Sequence, residues 1–175
     1  MQIYKTAMVI IPSEDIWEPI QKIREKYDNK IDRWMPNITL FYPFLPDNMF
    51  GNIKISLEKL QLKSFDVYLE KIEYFKHKQS YTLWLNPEPK SDLTDIYLSV
   101  RKCIKENFRE DSTNNFTPHL TIGRVKGETE FNKVYEELKK IWKPTKFRFD
   151  KISLICRDDP PNDKFKVAET AYTYY

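Results

Sequence analysis

The chain has 175 residues, of which 41% are apolar, and its 29 Lys and Arg against 26 Asp and Glu leave a formal charge of only +3. That length suits a single domain, 1–175, with one substantial core, and the near-balanced charge excludes the dense positive field of a polybasic nucleic-acid coat while leaving room for a local anion site. Three glycines, Gly51, Gly123 and Gly127, cannot be written into GxGxxG or GxxxxGK[ST], which excludes a Gly-rich phosphate cradle of the Rossmann or P-loop kind.

In chain order, residues Tyr4 to Ile11 alternate and then run apolar, as a strand entering a core does. The same amino-terminal stretch has no basic leader and no small-residue cleavage site, and no segment approaches the roughly 18 apolar residues needed to cross a bilayer. A soluble, cytoplasmic, monomeric protein is expected. Ser13 is a candidate N-cap for a helix over Glu14 to Tyr27, where Ile16, Ile20, Ile23 and Tyr27 share one face. A strand follows over Ile38 to Phe44, then a helix over Asn48 to Leu60, then a hairpin of Phe65 to Phe75 and Tyr81 to Leu85 around the charged turn Lys76 to Ser80.

A proline-rich break at Asn86 to Pro89 precedes a helix over Ser91 to Phe108 and a polar loop, Arg109 to Asn115. A strand over His119 to Val125, a helix over Glu128 to Trp142 and strands over Phe147 to Cys156 and Phe165 to Tyr174 complete the chain. Helices interleaved with hairpins predict an α+β fold: two pseudo-symmetric lobes of mainly antiparallel sheet, helices on the outer faces and a cleft between them. Cys103 and Cys156 fall in unlike contexts without CxxC spacing and read as buried thiols.

Two short segments match each other. Trp34-Met35-Pro36-Asn37-Ile38-Thr39-Leu40 and Phe116-Thr117-Pro118-His119-Leu120-Thr121-Ile122 share an aromatic residue, a proline, a polar ring or amide, a branched apolar residue, a threonine and a further apolar residue, at a constant offset of 82. In a strand, Asn37 and Thr39 project from one face and His119 and Thr121 likewise, with Ile38, Leu40, Leu120 and Ile122 turned the other way. Side by side, two such strands present four polar side chains in one cleft.

This pattern resembles the paired HxT/S motifs of the two-histidine (2H) phosphoesterase superfamily, which includes RNA 2',3'-cyclic phosphodiesterases once named 2'-5' RNA ligases. The likeness extends over Arg33 to Phe44, over Phe116 to Gly123, and to the ending Ile152-Ser153-Leu154-Ile155 with Arg157 and Phe165-Lys166-Val167. It implies a nucleotide or short single-stranded RNA with a cyclic or 2'-5' phosphodiester as partner. It also implies that one imidazole removes a proton while the other protonates the leaving oxygen, the threonine hydroxyls holding phosphate oxygens. His119, Thr39 and Thr121 match the family's residues, whereas Asn37 stands where the family has histidine. An amide has no accessible protonation change, so a loss of about 10² to 10⁴ in rate is expected. Two accounts of Asn37 stand side by side: a natural relative that binds without cleaving, or a substitution that inactivated an enzyme. Arg157 and Tyr42 are further candidates, Arg157 to approach a phosphate or pair with Asp158 or Asp159, Tyr42 to stack a base. Trp34, Phe44, Phe116, Tyr4 and Lys5 are weaker ones. His77 reads as part of a solvated turn, and neither a metal nor any other cofactor is expected, since the two histidines and the scattered carboxylates show no ligand spacing.

Overall fold

A computed structural model of the chain describes residues 3–105 and 116–174. Its elements are β1 (Thr6–Ile10), α1 (Trp17–Tyr27), β2 (Ile38–Phe41), α2 (Phe50–Glu58), β3 (Phe65–Lys76), β4 (Ser80–Glu88), α3 (Lys90–Ile104), β5 (Leu120–Lys126), α4 (Glu128–Ile141), β6 (Thr145–Phe149), β7 (Lys151–Cys156) and β8 (Lys166–Tyr172). The fold is α+β. Eight strands form one curled sheet in the order β6-β3-β4-β5-β2-β1-β7-β8, every neighbouring pair antiparallel. The two expected lobes are the halves of this sheet, β6-β3-β4-β5 and β2-β1-β7-β8, and they meet where Ile38 pairs with Leu120. Ile38 and Leu120 are themselves separated by 82 residues, so the pseudo-twofold axis passes between two strands that are equivalents of each other.

Alternation decides which face is covered. Met8, Ile10, Ile38, Leu40, Leu83, Leu85, Leu120 and Ile122 are buried on one side, beside Ile20 and Ile23 of α1, Ile53 and Leu57 of α2, Val100 of α3 and Val134 and Leu138 of α4. Each such side chain contributes roughly 1.5–3 kcal/mol on burial, so this face carries most of the stability. Ala7, Val9, Ile155 and Phe165 form a second, smaller cluster with Trp34 and Met35 against it.

Several boundaries differ from the sequence reading for local reasons. Ser13 makes no side-chain cap; it precedes a single 3-10 turn, Glu14–Ile16, and the α-helix begins at Trp17. The apolar run 147–156 is not one strand. Asp150 divides it: Phe149 pairs with Phe65 at one edge of the sheet, whereas Lys151 pairs with Tyr172 in the other half. A continuous apolar run does not reveal that its two ends have different partners, and only the curl of the sheet brings those partners within one residue of each other. The curl is also visible where Lys63, just before β3, bridges to Tyr174, just after β8. β4 continues through Pro87 to Glu88, because opposite Pro87 the ladder is irregular between Leu69 and Lys71, a place where a missing N–H is tolerated. The end of the expected helix at Phe108 and the loop Arg109 to Asn115 lie outside the described residues. Cys103 and Cys156 are half-buried rather than buried, and desolvation still pushes both thiols up.

Candidate functional site

The antiparallel pairing around Ile38 and Leu120 sets Asn37 across from Thr121 and Thr39 across from His119. All four side chains line one cleft of about 340 Å³, together with Trp34, Met35, Tyr42, Thr82, Gly123 and a group of charged residues. The cleft lies on the face of the sheet opposite the helix-covered core.

Each motif strand is bent by a β-bulge at an equivalent point. In β2, Thr39 pairs with Val9 and Phe41 with Met8, which leaves Leu40 as the extra residue. In β5, Thr121 pairs with Trp84 and Gly123 with Leu83, which leaves Ile122. Leu40 and Ile122 are again 82 apart. A bulge resets the alternation. Thr39 and Tyr42 therefore both reach the cleft although their positions differ by three, an odd offset, while Phe41 between them is 2% exposed; Thr121 and Arg124 do the same. Strict alternation would have put Tyr42 and Arg124 on the core side. Gly123 has a second role, because α1 runs so close that a Cβ there would overlap Tyr27.

The two half-sites hold their polar groups by the same bond. His119 Nδ1 lies 2.7 Å from the carbonyl oxygen of Thr117, two residues back, and Asn37 Nδ2 donates to the carbonyl oxygen of Met35, also two residues back, at 2.8 Å. A carbonyl can only accept, so Nδ1 of His119 carries the proton and Nε2 is left with a lone pair. Burial pushes the imidazolium below its ordinary range, opposed less strongly by the Thr117 carbonyl, so the ring is neutral near pH 7. The rings of Phe75 and Trp84 fix its edges, at centroid distances of 5.2 and 5.9 Å. On the other side of the axis both polar atoms of the amide are bonded: Thr39 donates its hydroxyl to Asn37 Oδ1 at 2.8 Å. The arrangement supplies one proton acceptor, at His119, and an amide where a second imidazole would complete the symmetry.

The charge of the cleft comes from residues the motifs do not include. Arg24, Lys30, Arg33 and Arg124 line it against one carboxylate, Asp28. Arg24 and Asp28 form a buried pair at 2.8 Å, and Arg24 also donates to the carbonyl oxygen of Trp34 and to Gln21, which fastens α1 to the segment entering β2. Arg33 pairs with Asp163 at 2.6 Å. Arg124 donates through Nε and Nη2 to Ser80 Oγ, a neutral partner, and among the described residues neither it nor Lys30 has an ion pair. The sequence reading passed over Arg124, although a glycine inside a strand pattern, Gly123, is the usual signal of a bulge that redirects its neighbour.

Arg157 is not among the residues lining the cleft. Its guanidinium donates to the Tyr4 carbonyl and to Asp163, over the ring of Phe165, while Asp159 pairs with Lys5. Tyr42 lines the cleft, 40% exposed, with Trp34 edge-on at 5.0 Å. Tyr4 and Lys5 do not line it, Phe44 is fully buried, and Phe116 stacks on Tyr97. His77 is exposed in the β3–β4 turn, its Nε2 at 2.9 Å from Thr82 Oγ1. Among the described residues no group of three or more His, Cys, Asp or Glu is placed to share a metal ion, and no helix is long and apolar enough to cross a membrane.

Comparison with known proteins gives a family and similar folds. The family model of the 2'-5' RNA ligase superfamily matches residues 12–161. SH1944 of Staphylococcus haemolyticus, which carries a phosphoesterase name, is 25% identical over 168 residues, covering 94% of this chain and 96% of that protein. Among solved structures, Escherichia coli LigT complexed with 3'-AMP superposes with a TM-score of 0.70 at 14% identity, over 98% of this chain and 99% of that one. Usb1 of Kluyveromyces marxianus with uridine monophosphate gives 0.51 at 11%, over 98% and 99%.

Proposed function

Given that the chain belongs to the 2'-5' RNA ligase superfamily, we propose that residues 1–175 form a single bilobal phosphodiesterase domain. In this reading its cleft binds a nucleotide or short single-stranded RNA carrying a 2',3'-cyclic or 2'-5' phosphodiester. The observation that carries the reading is the mirrored pair of bonds, His119 to Thr117 and Asn37 to Met35, on either side of an axis lined by Thr39 and Thr121. Neutral His119, with Nε2 free, acts as general base on water; the Thr121 hydroxyl, and that of Thr39 once it turns from Asn37 Oδ1, hold the nonbridging phosphate oxygens. Tyr42 and Trp34 offer ring faces to a base, an interaction of roughly 1–3 kcal/mol per base in single-stranded complexes. The cationic lining supports an anionic ligand, and solved LigT structures hold 3'-AMP, phosphate, ATP and NADP+. No metal is needed for this step, since the base is a side chain.

Asn37 limits turnover of sugar-ester bonds, because its amide, unlike an imidazolium, gives no proton to the leaving oxygen. Hydrolysis of adenosine 2',3'-cyclic phosphate and of a 2'-5' linked diadenylate is the test. Asn37→His should gain roughly tenfold or more, within the 10² to 10⁴ a positioned acid or base contributes, and the gain should vanish when His119→Ala is added. A second reading, a nucleotide-binding module without turnover, is favoured by Asn37, whose amide has no accessible protonation change. It is preferred if Asn37→His stays inert while calorimetry shows 3'-AMP binding that His119→Ala weakens.

A further inference from the structure

The cleft is asymmetric in two respects, and both bear on which bond it can break. The first concerns protons. His119 offers a lone pair at Nε2, whereas both polar atoms of the Asn37 side chain are bonded to protein, Nδ2 to the Met35 carbonyl and Oδ1 to the Thr39 hydroxyl. An in-line displacement at phosphorus places the attacking and departing oxygens on opposite sides. With the base at His119, the departing oxygen lies toward Asn37 and receives no proton from its amide. For a ribose oxygen this is unfavourable, since an alkoxide is a strongly basic leaving group. For a phosphate it costs little, because a phosphate monoester oxygen holds its proton only with a pKa of about 6.

The second asymmetry concerns charge. Thr121 stands across from Asn37, and the bulge at Ile122 brings Arg124, farther along β5, into the cleft at that end. Lys30 reaches the same lining from the segment that leads into Asn37. Among the described residues these two cations have no acidic partner, and Arg124 is held by Ser80 Oγ, which leaves its Nη1 unbonded. One phosphodiester has a single negative charge, and the hydroxyls of Thr39 and Thr121 line the cleft where it would sit. Two further cations in the lining, Arg124 and Lys30, match a second phosphate.

Resting on the function proposed above, we infer that the bond this site cleaves is a phosphoanhydride in a nucleotide, with Arg124 and Lys30 holding the departing phosphate and His119 activating water. Water transfers a proton to His119 Nε2 as its oxygen bonds to the attacked phosphorus. The bond from that phosphorus to the bridging oxygen breaks, the bridging oxygen keeps the electron pair, and the second phosphate leaves as an anion between the two cations. The imidazolium then returns its proton to solvent. Asn37 is on this account a specificity-determining residue: it removes the acid that ester cleavage needs and that anhydride cleavage does not.

The experiment uses the intact chain and three probes: P1,P2-di(adenosine-5') diphosphate, adenosine 2',3'-cyclic phosphate, and a series of adenosine 5'-aryl phosphodiesters graded by phenol acidity. In the native chain kcat/KM for the diphosphate should exceed that for the cyclic phosphate by about tenfold or more, and Asn37→His should reduce or reverse the ratio, in keeping with the 10² to 10⁴ of a general acid. The aryl series should depend steeply on leaving-group acidity in the native chain and shallowly in Asn37→His. Arg124→Met should slow diphosphate cleavage about tenfold more than aryl ester cleavage, the difference a charge-assisted hydrogen bond of about 1.5–3 kcal/mol makes. The inference is overturned if the native chain cleaves the cyclic phosphate at least as well as the diphosphate, or if Asn37→His leaves the aryl dependence unchanged. It is also overturned if no probe is cleaved while 3'-AMP still binds by calorimetry, an outcome that leaves the nucleotide cleft standing. Failure of 3'-AMP to bind sinks the cleft reading itself.

Discussion

Gly123→Ala tests the structural basis of the cleft, and its size can be worked from the geometry. A Cβ at Gly123 would overlap Tyr27 Cβ and approach its carbonyl carbon and oxygen to 3.1 Å, and the obstacle is helix backbone rather than the end of a flexible side chain. Either the last turn of α1 moves outward or β5 moves inward. Overpacking of this kind costs about 1–3 kcal/mol. For a chain of this length each kcal/mol lowers Tm by roughly 2–4 °C, so a fall of about 2–12 °C is expected. The displacement should also be felt in the site. Asp28 follows Tyr27 directly and holds Arg24, which fastens the segment ahead of Asn37 through the Trp34 carbonyl. Gly51→Ala is the control: a Cβ there meets nothing within 4 Å, and its place in α2 predicts a gain of about 0.5–1 kcal/mol. Thermal unfolding followed by circular dichroism measures both, with 3'-AMP affinity as the second readout. Equal Tm values for the two variants would refute the close approach of α1 to β5.

Three other outcomes follow from the same structure. Because burial lowers the folded-state pKa of His119 below its ordinary value, the unfolded chain binds that proton more readily; stability is complete above about pH 6.5 and declines as pH falls through that value. Urea midpoints at about pH 5 and about pH 8 should differ in that direction, and an unchanged difference in His119→Gln would assign the slope to other groups. For any ester or anhydride the native chain cleaves, kcat/KM should rise to a plateau with an apparent pKa below about 6.5 and show no alkaline limb near neutrality, since Asn37 does not titrate; a bell-shaped profile would mean a second group is acting. Asp28→Ala should destabilise by about 3–5 kcal/mol by leaving Arg24, only 3% exposed, without its counter-ion, and a loss under about 1 kcal/mol in chemical denaturation would show that the pair is not buried in solution.

The sequence by itself determined the periodicities, and through them the helices, most of the strands and the four polar side chains of the paired motifs. Asn37, Thr39, His119 and Thr121 fall on one face because residues two apart in a strand must, and the constant offset of 82 already implied that two such strands are equivalents. What it did not contain were relations that depend on partners. Alternation alone would turn Tyr42 and Arg124 to the core side; the bulges at Leu40 and Ile122 that turn them to the cleft are defined by what β1 and β4 pair with and not by any property of the bulged residue. The run 147–156 looked uniform because Phe149 and Ile152 are equally apolar, although one is buried in each half of the sheet. Arg157 and Arg124 are chemically identical, and only the fold gave the first to Asp163 and left the second facing the cleft with, among the described residues, no acidic partner. Side-chain direction within a strand is a local property, whereas the number of residues opposing it and the charge that reaches it are set across the sheet. Tertiary structure therefore turned a pair of motifs into a site with one base, one inert amide and a cationic end.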